Sequence, residues 1–371
     1  MTSAELFDRP ATLAVGAGRL TLDVIVHQGD PPALARSQAG GTCGNVLADL
    51  AYLGWQCYPL TDLGDDDAGR RFLRDLARWG VRLDLIRCYP DQQTPVIVHH
   101  IRQSESGAVH SFSSRCPFCD HRLRYYEPVP LPRVEERLAA VPTAQVYFFD
   151  RDSPGTLLLA RHQRQRGAVV VYEPNYAGPE SDLPGALAQA HILKFAREKL
   201  PGLADRPLVG PWLVIETLGA DGLRFRDQRA GFGEWVHLPA LPVAVVRDAA
   251  GSGDWCTAGL LHVLAREGAA GLQRASVAQW QAALRFGMAL AAWNCAFEGA
   301  RGGVYCVDRP TFERDVGRLL AGECFDPAES AGPSTQDEAG AFCPNCAAAL
   351  QREGDLMKRT SLEEGSILDG I

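Results

Sequence analysis

The chain reads as an α/β protein built on a mostly parallel sheet covered by helices. Three observations predict this. Short apolar runs alternate with amphipathic helical stretches over most of the length. The apolar runs have strand length and are rich in Val, Ile and aromatic residues, and a glycine-rich turn joins one of them directly to a helix. Alternation of this kind is the pattern of strands connected through crossover helices.

In chain order, Leu13–Val15 and Asp23–Val26 read as strands. Gly44–Leu53 places Val46, Leu47, Leu50 and Leu53 on one helical face. Ala68–Trp79 repeats the pattern with Phe72, Leu73, Leu76 and Ala77 and stops at Gly80, a residue suited to helix ends. Pro95–Ile101 and Ala108–Phe112 flank the polar turn Gln103–Gly107 as a hairpin. From Gln145 the rhythm is strand then helix: Val146–Phe149, Leu157–Gln165, Ala168–Tyr172, Leu187–Ala190 and Ile192–Phe195. A strand at Trp212–Glu216 and helices at Trp255–Ala265 and Ala282–Phe297 follow. After Cys324 the composition shifts, and Asp326–Gly340 is rich in Pro, Ser, Gly and acids, as linkers are.

The 371 residues are 46% hydrophobic and 22% charged, the balance of an ordinary soluble protein. A net charge of -8 argues against a nucleic-acid partner held through its phosphates. The N-terminal MTSAELFDRP has acids and a proline where a signal peptide needs a basic start and an apolar run. No apolar run reaches membrane-spanning length. The expectation is a cytoplasmic protein with neither nucleic acid nor membrane as partner.

The sharpest local feature is Val245–Asp254, in which a strand enters, small residues turn the chain, and a helix begins at Trp255. Gly251, Ser252 and Gly253 can present bare backbone N–H groups to an anion at the positive end of that helix. Asp254 is placed to cap the helix or to take a proton. Spacing alone leaves an ordinary capped turn equally open.

This segment resembles the C-terminal signature of the ribokinase-like (PfkB) carbohydrate kinases, Asp-Thr-Thr-Gly-Ala-Gly-Asp, with Ala249 and Ala250 in place of the threonines. The resemblance implies that Gly251, Ser252 and Gly253 form the anion hole for the transferred phosphoryl group. It makes Asp254 the catalytic base and puts Asp248 on the nucleotide side. A second pattern lies far away: Gly40-Gly41-Thr42-Cys43-Gly44-Asn45, Leu53-Gly54, Gly64-Asp65-Asp66 and Gly69 are similar in type and order to the family's N-terminal signature. There Gly40, Gly41 and Asn45 border the sugar site. Asp23 matches a carboxylate that grips substrate hydroxyls, a task suited to its acceptor-only oxygens. Alone, these residues more often make a turn and a helix start; it is the joint occurrence that carries weight.

Other landmarks agree in part. Thr217-Leu218-Gly219-Ala220-Asp221-Gly222 resembles the family's nucleotide-side turn, which assigns Thr217, Gly219 and Gly222 to the cofactor. Val171–Asn175 is similar to a strand-end Asp-Pro-Asn, with Glu173 for the Asp. His191–Glu198 corresponds to a segment that supports Mg²⁺, but its usual Asn is absent and Glu198 is the acid that remains. The family resemblance implies a three-layer sandwich with a mostly parallel central sheet and a small β-lid. Residues 1–320 would form the kinase domain, with lid segments at about 13–42 and 93–115, and 321–371 a linker and cysteine-containing tail. It also implies ATP and Mg²⁺ as cofactors, a sugar-like substrate touched by Arg115 after the lid, and a homodimer through the lid.

Eleven cysteines is a high count. Seven are scattered singly, and buried thiols are their simplest reading. The remaining four form two Cys-Pro-x-Cys units, Cys116/Cys119 and Cys343/Cys346. Together they offer a complete tetrahedral Zn²⁺ set if the tail folds back; unrelated thiol pairs or a redox pair are the alternatives. Three functions stay open on the same fold: a sugar kinase, a nucleoside or vitamin-alcohol kinase, and a catalytically altered homologue that binds a partner through its zinc knuckles.

Overall fold

A computed structural model describes residues 7, 12–31, 34–104, 107–178, 181–338, 340 and 342–348. The first half holds β1 (Leu13–Gly16), β2 (Thr21–His27), β3 (Arg36–Gly40), helix α1 (Thr42–Tyr52), β4 (Gln56–Pro59), β5 (Thr61–Gly64), α2 (Asp67–Arg78) and β6 (Ile86–Tyr89). The hairpin strands β7 (Val96–Ser104) and β8 (Gly107–Ser113) and helix α3 (Leu131–Arg137) follow. Next come β9 (Val146–Phe149), α4 (Pro154–Gln165), β10 (Val169–Tyr172), α5 (Leu183–Gln189), β11 (Ile192–Ala196), β12 (Leu213–Thr217), β13 (Leu223–Asp227) and β14 (Val236–Leu238). Helices α6 (Ser252–Leu264), α7 (Gly268–Arg274), α8 (Val277–Asn294) and α9 (Arg309–Leu320) precede a last short strand, β15 (Asp337–Glu338).

The central sheet has the order β14-β13-β12-β11-β10-β9-β1-β4. It is parallel from β4 to β12 and ends in two antiparallel strands, β13 and β14. Every position of β9 and β10 is buried, which is why these segments are continuous apolar runs rather than alternating ones. Val146 and Phe148 face a core shared with α6 and α8, while Tyr147 and Phe149 face a second core with α4 and α5. Helices therefore cover both faces, as expected for the three-layer sandwich.

A second sheet, ordered β15-β3-β2-β7-β8, forms the lid. It departs from expectation in two places. The lid begins at Thr21, not near residue 13: β1 lies between β4 and β9 in the central sheet, where Ala14 and Val15 are wholly buried. The turn of the hairpin, expected within Gln103–Gly107, lies in part outside the described residues. The stretch expected as a linker is packed. Phe325 is buried, the Gly332 N–H donates to the Cys306 carbonyl at 2.7 Å, and the Thr335 N–H donates to that of Tyr305 at 2.8 Å. Asp337 and Glu338 then pair antiparallel with Ser37 and Arg36, so the tail supplies an edge strand of the lid. Arg78 fastens it by donating to the Thr335 carbonyl (2.6 Å) and to Asp337 (2.9 Å). Of the expected tail, 349–371 lie outside the described residues. No helix among the described residues is long and apolar enough to cross a membrane.

A buried polar knot ties the lid to the main body. Asp75 of α2 accepts hydrogen bonds from the Ala39 N–H (2.8 Å), Arg301 (2.7 Å) and the Tyr305 hydroxyl (2.8 Å). Arg301 also donates to the Ala39 carbonyl. The knot thus fixes the backbone one residue before the Gly40-Gly41 pair. Removing Asp75 leaves a guanidinium, a hydroxyl and an N–H buried without their acceptor. Asp75→Ala should therefore lower stability by about 3–5 kcal/mol in denaturant unfolding; a loss below about 1 kcal/mol would show that the knot is not holding this junction.

Candidate active site

The site lies where the N-terminus of α6 meets the N-terminus of α1. Gly251 has φ 72°, and a Cβ placed on it would sit 2.2 Å from the Ala300 carbonyl oxygen. Only glycine fits both the left-handed conformation and that approach. The turn delivers α6 with no side-chain cap; the Ser252 N–H donates to the Ala249 carbonyl at 3.2 Å, and those of Gly253 and Asp254 are left for a ligand or water. Asp254, in that first turn, accepts a 2.8 Å hydrogen bond from Asn45 Nδ2, across 209 residues of sequence. Asn45 is itself buried, and its Oδ1 has no hydrogen-bond partner. The carboxyl of Asp254 is pushed up to about 8, first by burial and then by the charge of Glu173, against the Asn45 hydrogen bond and Lys194.

Beneath the turn lies a pair that the sequence reading did not assign. Lys194, in the apolar strand β11, is 2% exposed and forms an ion pair with Glu173 at the end of β10. Its ammonium also donates to the Gly253 carbonyl at 3.0 Å. Thr257 Oγ1 donates to the other Glu173 oxygen (2.6 Å) and sits 3.1 Å from the same Gly253 carbonyl. Burial works against the charge on Lys194, but Glu173 outweighs it and the ammonium is raised above its ordinary value. In a trans peptide the carbonyl and the next N–H point in opposite directions. Anchoring the Gly253 carbonyl on Lys194 therefore aims the Asp254 N–H out of the start of α6. A lysine inside the run Ile192–Phe195 was the signal available for it.

On the acceptor side, Asp23, Gly41 and Asn45 line one cavity together with Gly251 and Asp254. Gly40 makes room for Asp23: a Cβ there would lie 2.0 Å from its carboxylate. Gly41, at φ 78°, passes 2.5 Å from the Arg19 carbonyl on the same test and starts α1. The Thr21 hydroxyl donates to Asp23 at 2.7 Å, and burial raises the carboxyl of Asp23 despite that bond. Arg19, Gln38, Ile97, His99 and Phe112 also line the cavity and were missed, because β2, β3 and the hairpin carry no motif of their own.

The remaining expected site residues divide. Thr217, Gly219 and Gly222 share one turn after β12, where Gly222 (φ 92°) closes against the Leu238 carbonyl; they do not line the acceptor cavity. Asp248 is buried behind the turn, accepting the N–H groups of Ala250 (2.9 Å) and Gly299 (2.8 Å), so it shapes the turn from within. Its carboxylate faces His110 at 3.4 Å and His99 at 3.8 Å. Arg115 does not reach the cavity. The chain leaves the lid sheet at Ser114, and the Arg115 side chain is 59% exposed on an ion pair with Asp120. Glu198 is also displaced: its side chain is 87% exposed beside Lys199, because the chain turns outward after β11.

The four cysteines of the two Cys-Pro-x-Cys units come together as expected. Cys116 and Cys346 sulfurs lie 3.7 Å apart, Cys119 and Cys343 3.6 Å, and all four within 4.8 Å of one another. These separations are far beyond a disulfide's ~2.05 Å bond. They match the ~3.8 Å edge of a tetrahedron with ~2.3 Å zinc–sulfur bonds. Asp120, at φ 56°, turns the first knuckle, with its N–H on the Cys116 carbonyl at 3.0 Å.

The raised carboxyl of Asp254 has a consequence for stability. Its folded value near 8 lies above the unfolded value of 3.8, so folding favours the protonated acid. That contribution is complete at low pH and is lost as pH rises from about 4 to about 8. Asn cannot ionise. Asp254→Asn should therefore gain in melting temperature relative to the wild type between pH 5 and pH 8.5, and parallel melting curves across that range would contradict the shift.

Comparison with known proteins identifies the family. The model of the pfkB family carbohydrate kinases matches residues 34–304. Aminoimidazole riboside kinase of Salmonella typhimurium is 29% identical over 251 residues, covering 61% of this chain and 74% of that protein. The bifunctional protein HldE of Bradyrhizobium diazoefficiens is 26% identical over 268 residues, covering 68% of this chain but 50% of that longer protein. The crystal structure of aminoimidazole riboside kinase from Salmonella enterica, complexed with aminoimidazole riboside and an ATP analogue, superposes with a TM-score of 0.59 at 22% identity. It covers 83% of this chain and 99% of that one. With the family model spanning both the Gly40–Asn45 and the Gly251–Asp254 segments, the chain belongs to the pfkB family of carbohydrate kinases.

Proposed function

We propose that the protein transfers the γ-phosphoryl group of ATP to a hydroxyl of a sugar-like small molecule, with Asp254 as the base. One observation carries this reading: Asp254, held by Asn45, lines a cavity shared with Asp23 and lies in the first turn of a helix without a side-chain cap. Asp23 and Asn45 hold the acceptor, and Asp254 takes the proton from its hydroxyl as the oxygen attacks the γ-phosphorus. The bond to the β–γ bridging oxygen breaks, and ADP leaves with that oxygen. The N–H groups of the Gly251–Gly253 turn and Asp254 stabilise charge on the moving phosphoryl group. Thr217, Gly219 and Gly222 are assigned to the nucleotide. Glu173, already engaged by Lys194 and Thr257, and the outward Glu198 offer no ready-made protein cage for Mg²⁺. That fits an ion carried mainly by nucleotide phosphates and water, where it neutralises phosphate charge.

Within the sugar-like class, Phe112 and His99 favour an acceptor with a flat ring attached to its sugar. They stack at 4.5 Å, Phe112 is largely exposed, and both line the cavity. The riboside named for the Salmonella relative has that form. The four cysteines are assigned to a structural Zn²⁺ that pins the tail, and with it β15, beside the lid. The β8 edge is the interface we assign to a homodimer. It has no strand partner among the described residues, while β15 covers the opposite edge, and Val109 and Phe112 are exposed on it.

An ATP-coupled screen of sugars and nucleosides should reveal acceptor-dependent turnover. Asp254→Asn should lower kcat by at least about 100-fold while leaving acceptor affinity nearly unchanged, and substantial residual activity would defeat the base assignment. In the free enzyme kcat/KM should rise with pH towards about 8, because only the ionised base accepts the proton; a flat profile from pH 6 to 8 would oppose it. Metal analysis should find one fewer zinc per chain in Cys343→Ser than in the wild type, and equal contents would remove the knuckle assignment.

A further inference from the structure

The lid meets the phosphoryl-binding turn through three side chains, two of which, His110 and Asp248, have no part in holding the acceptor. His99 comes from β7, His110 from β8, and Asp248 from the loop before Gly251. His99 and Asp248 are buried and His110 nearly so. The His99 Nε2 and His110 Nδ1 atoms are 2.9 Å apart, and the carboxylate oxygens of Asp248 lie 3.4 Å from His110 Nδ1 and 3.8 Å from His99 Nε2.

A single proton can bridge the two imidazoles, from either nitrogen to the lone pair of the other, but that pairing leaves the Asp248 carboxylate facing the rings at 3.4 and 3.8 Å. One cation accepts all three lone pairs at once. The three separations, which run to both carboxylate oxygens, bracket the ~3.4 Å edge expected when nitrogen and oxygen ligands sit ~2.0–2.1 Å from a tetrahedral ion. Two imidazoles and one carboxylate are a donor set suited to zinc-like divalent ions. The carboxylate is oriented from behind, one oxygen by the Ala250 N–H at 2.9 Å and the other by the Gly299 N–H at 2.8 Å, the support a metal-ligating carboxylate needs.

We propose that His99, His110 and Asp248 bind a divalent transition-metal ion, with zinc as its type, that clasps the lid to the turn carrying Gly251. Binding moves the proton shared between the imidazoles to the other nitrogen of its ring, so both rings ligate as neutral imidazoles. The fourth position faces the acceptor cavity, which His99 lines, and is filled by water or by a hydroxyl of the acceptor. The clasp is separate from the cysteine cluster and draws on no residue of it.

The test counts zinc in the full chain after equilibration with zinc and removal of the excess. His110→Ala should hold one zinc per chain fewer than the wild type, and Cys343→Ser should retain the ion that His110→Ala loses. Equal zinc in His110→Ala and wild type overturns the proposal, as does a wild type with no zinc. If His110→Ala does not fold, Co²⁺ titration of the wild type decides. A tetrahedral equivalent without thiolate-to-cobalt charge transfer supports the site; binding accompanied throughout by thiolate charge transfer overturns it. Neither readout uses turnover, so a failed kinase assignment and a failed clasp are told apart.

Discussion

The arrangement of the site depends on one contact, the hydrogen bond from Asn45 to Asp254. It joins the first turns of two helices that approach each other only because the chain can turn without a Cβ at Gly41 and Gly251. Both glycines lie at positive φ with a backbone carbonyl inside the space that a side chain would need. Any other residue would push α1 or α6 away by more than a hydrogen bond can span. The large packing interface of α6 with α8, including Gly259 against Gly287, holds the second helix at that depth.

Around this contact, buried charge is arranged by pairing and by aim. Glu173 and Lys194 neutralise each other, yet the lysine also grips a carbonyl and so orients an N–H on the far side of the same peptide. Asp75 and Arg301 do the same work at the lid junction, each spending a second bond on Ala39. Pairs of this kind add little net stability against an apolar replacement, but losing one partner is costly. Here they fix backbone positions to either side of the acceptor cavity. Asp254 is left with a carboxyl that burial and Glu173 hold near its proton.

Much of this was legible in the sequence. The buried strands announce themselves because β9 and β10 are apolar at every position, and the glycine turns because small residues cluster before helix starts. The cysteine pairs were legible through their shared form, though 224 and 230 residues separate the sulfurs that meet. Arg115 and Glu198 were misplaced for a common reason: spacing along the chain says that a residue is near a landmark, not on which side of the backbone it leaves. The contribution of β15 was illegible because a short polar edge strand looks like linker; its partners are backbone groups of β3, which sequence does not display. The lid residues around the cavity and the His99–His110–Asp248 triangle came from three separate elements and had no local pattern to reveal them.

The order of the lid strands bears on how the molecule is made. β2, β3, β7 and β8 leave the ribosome early, before most of the central sheet, whereas β15 emerges after α9. Until β15 emerges the edge of β3 is therefore open, and half of the cysteine cluster is missing. Chains generally fold as they are synthesised, N-terminal parts first. A ribosome stalled just beyond α9 would thus present a finished central sheet with an unfinished lid, which β15 and the second cysteine pair then close.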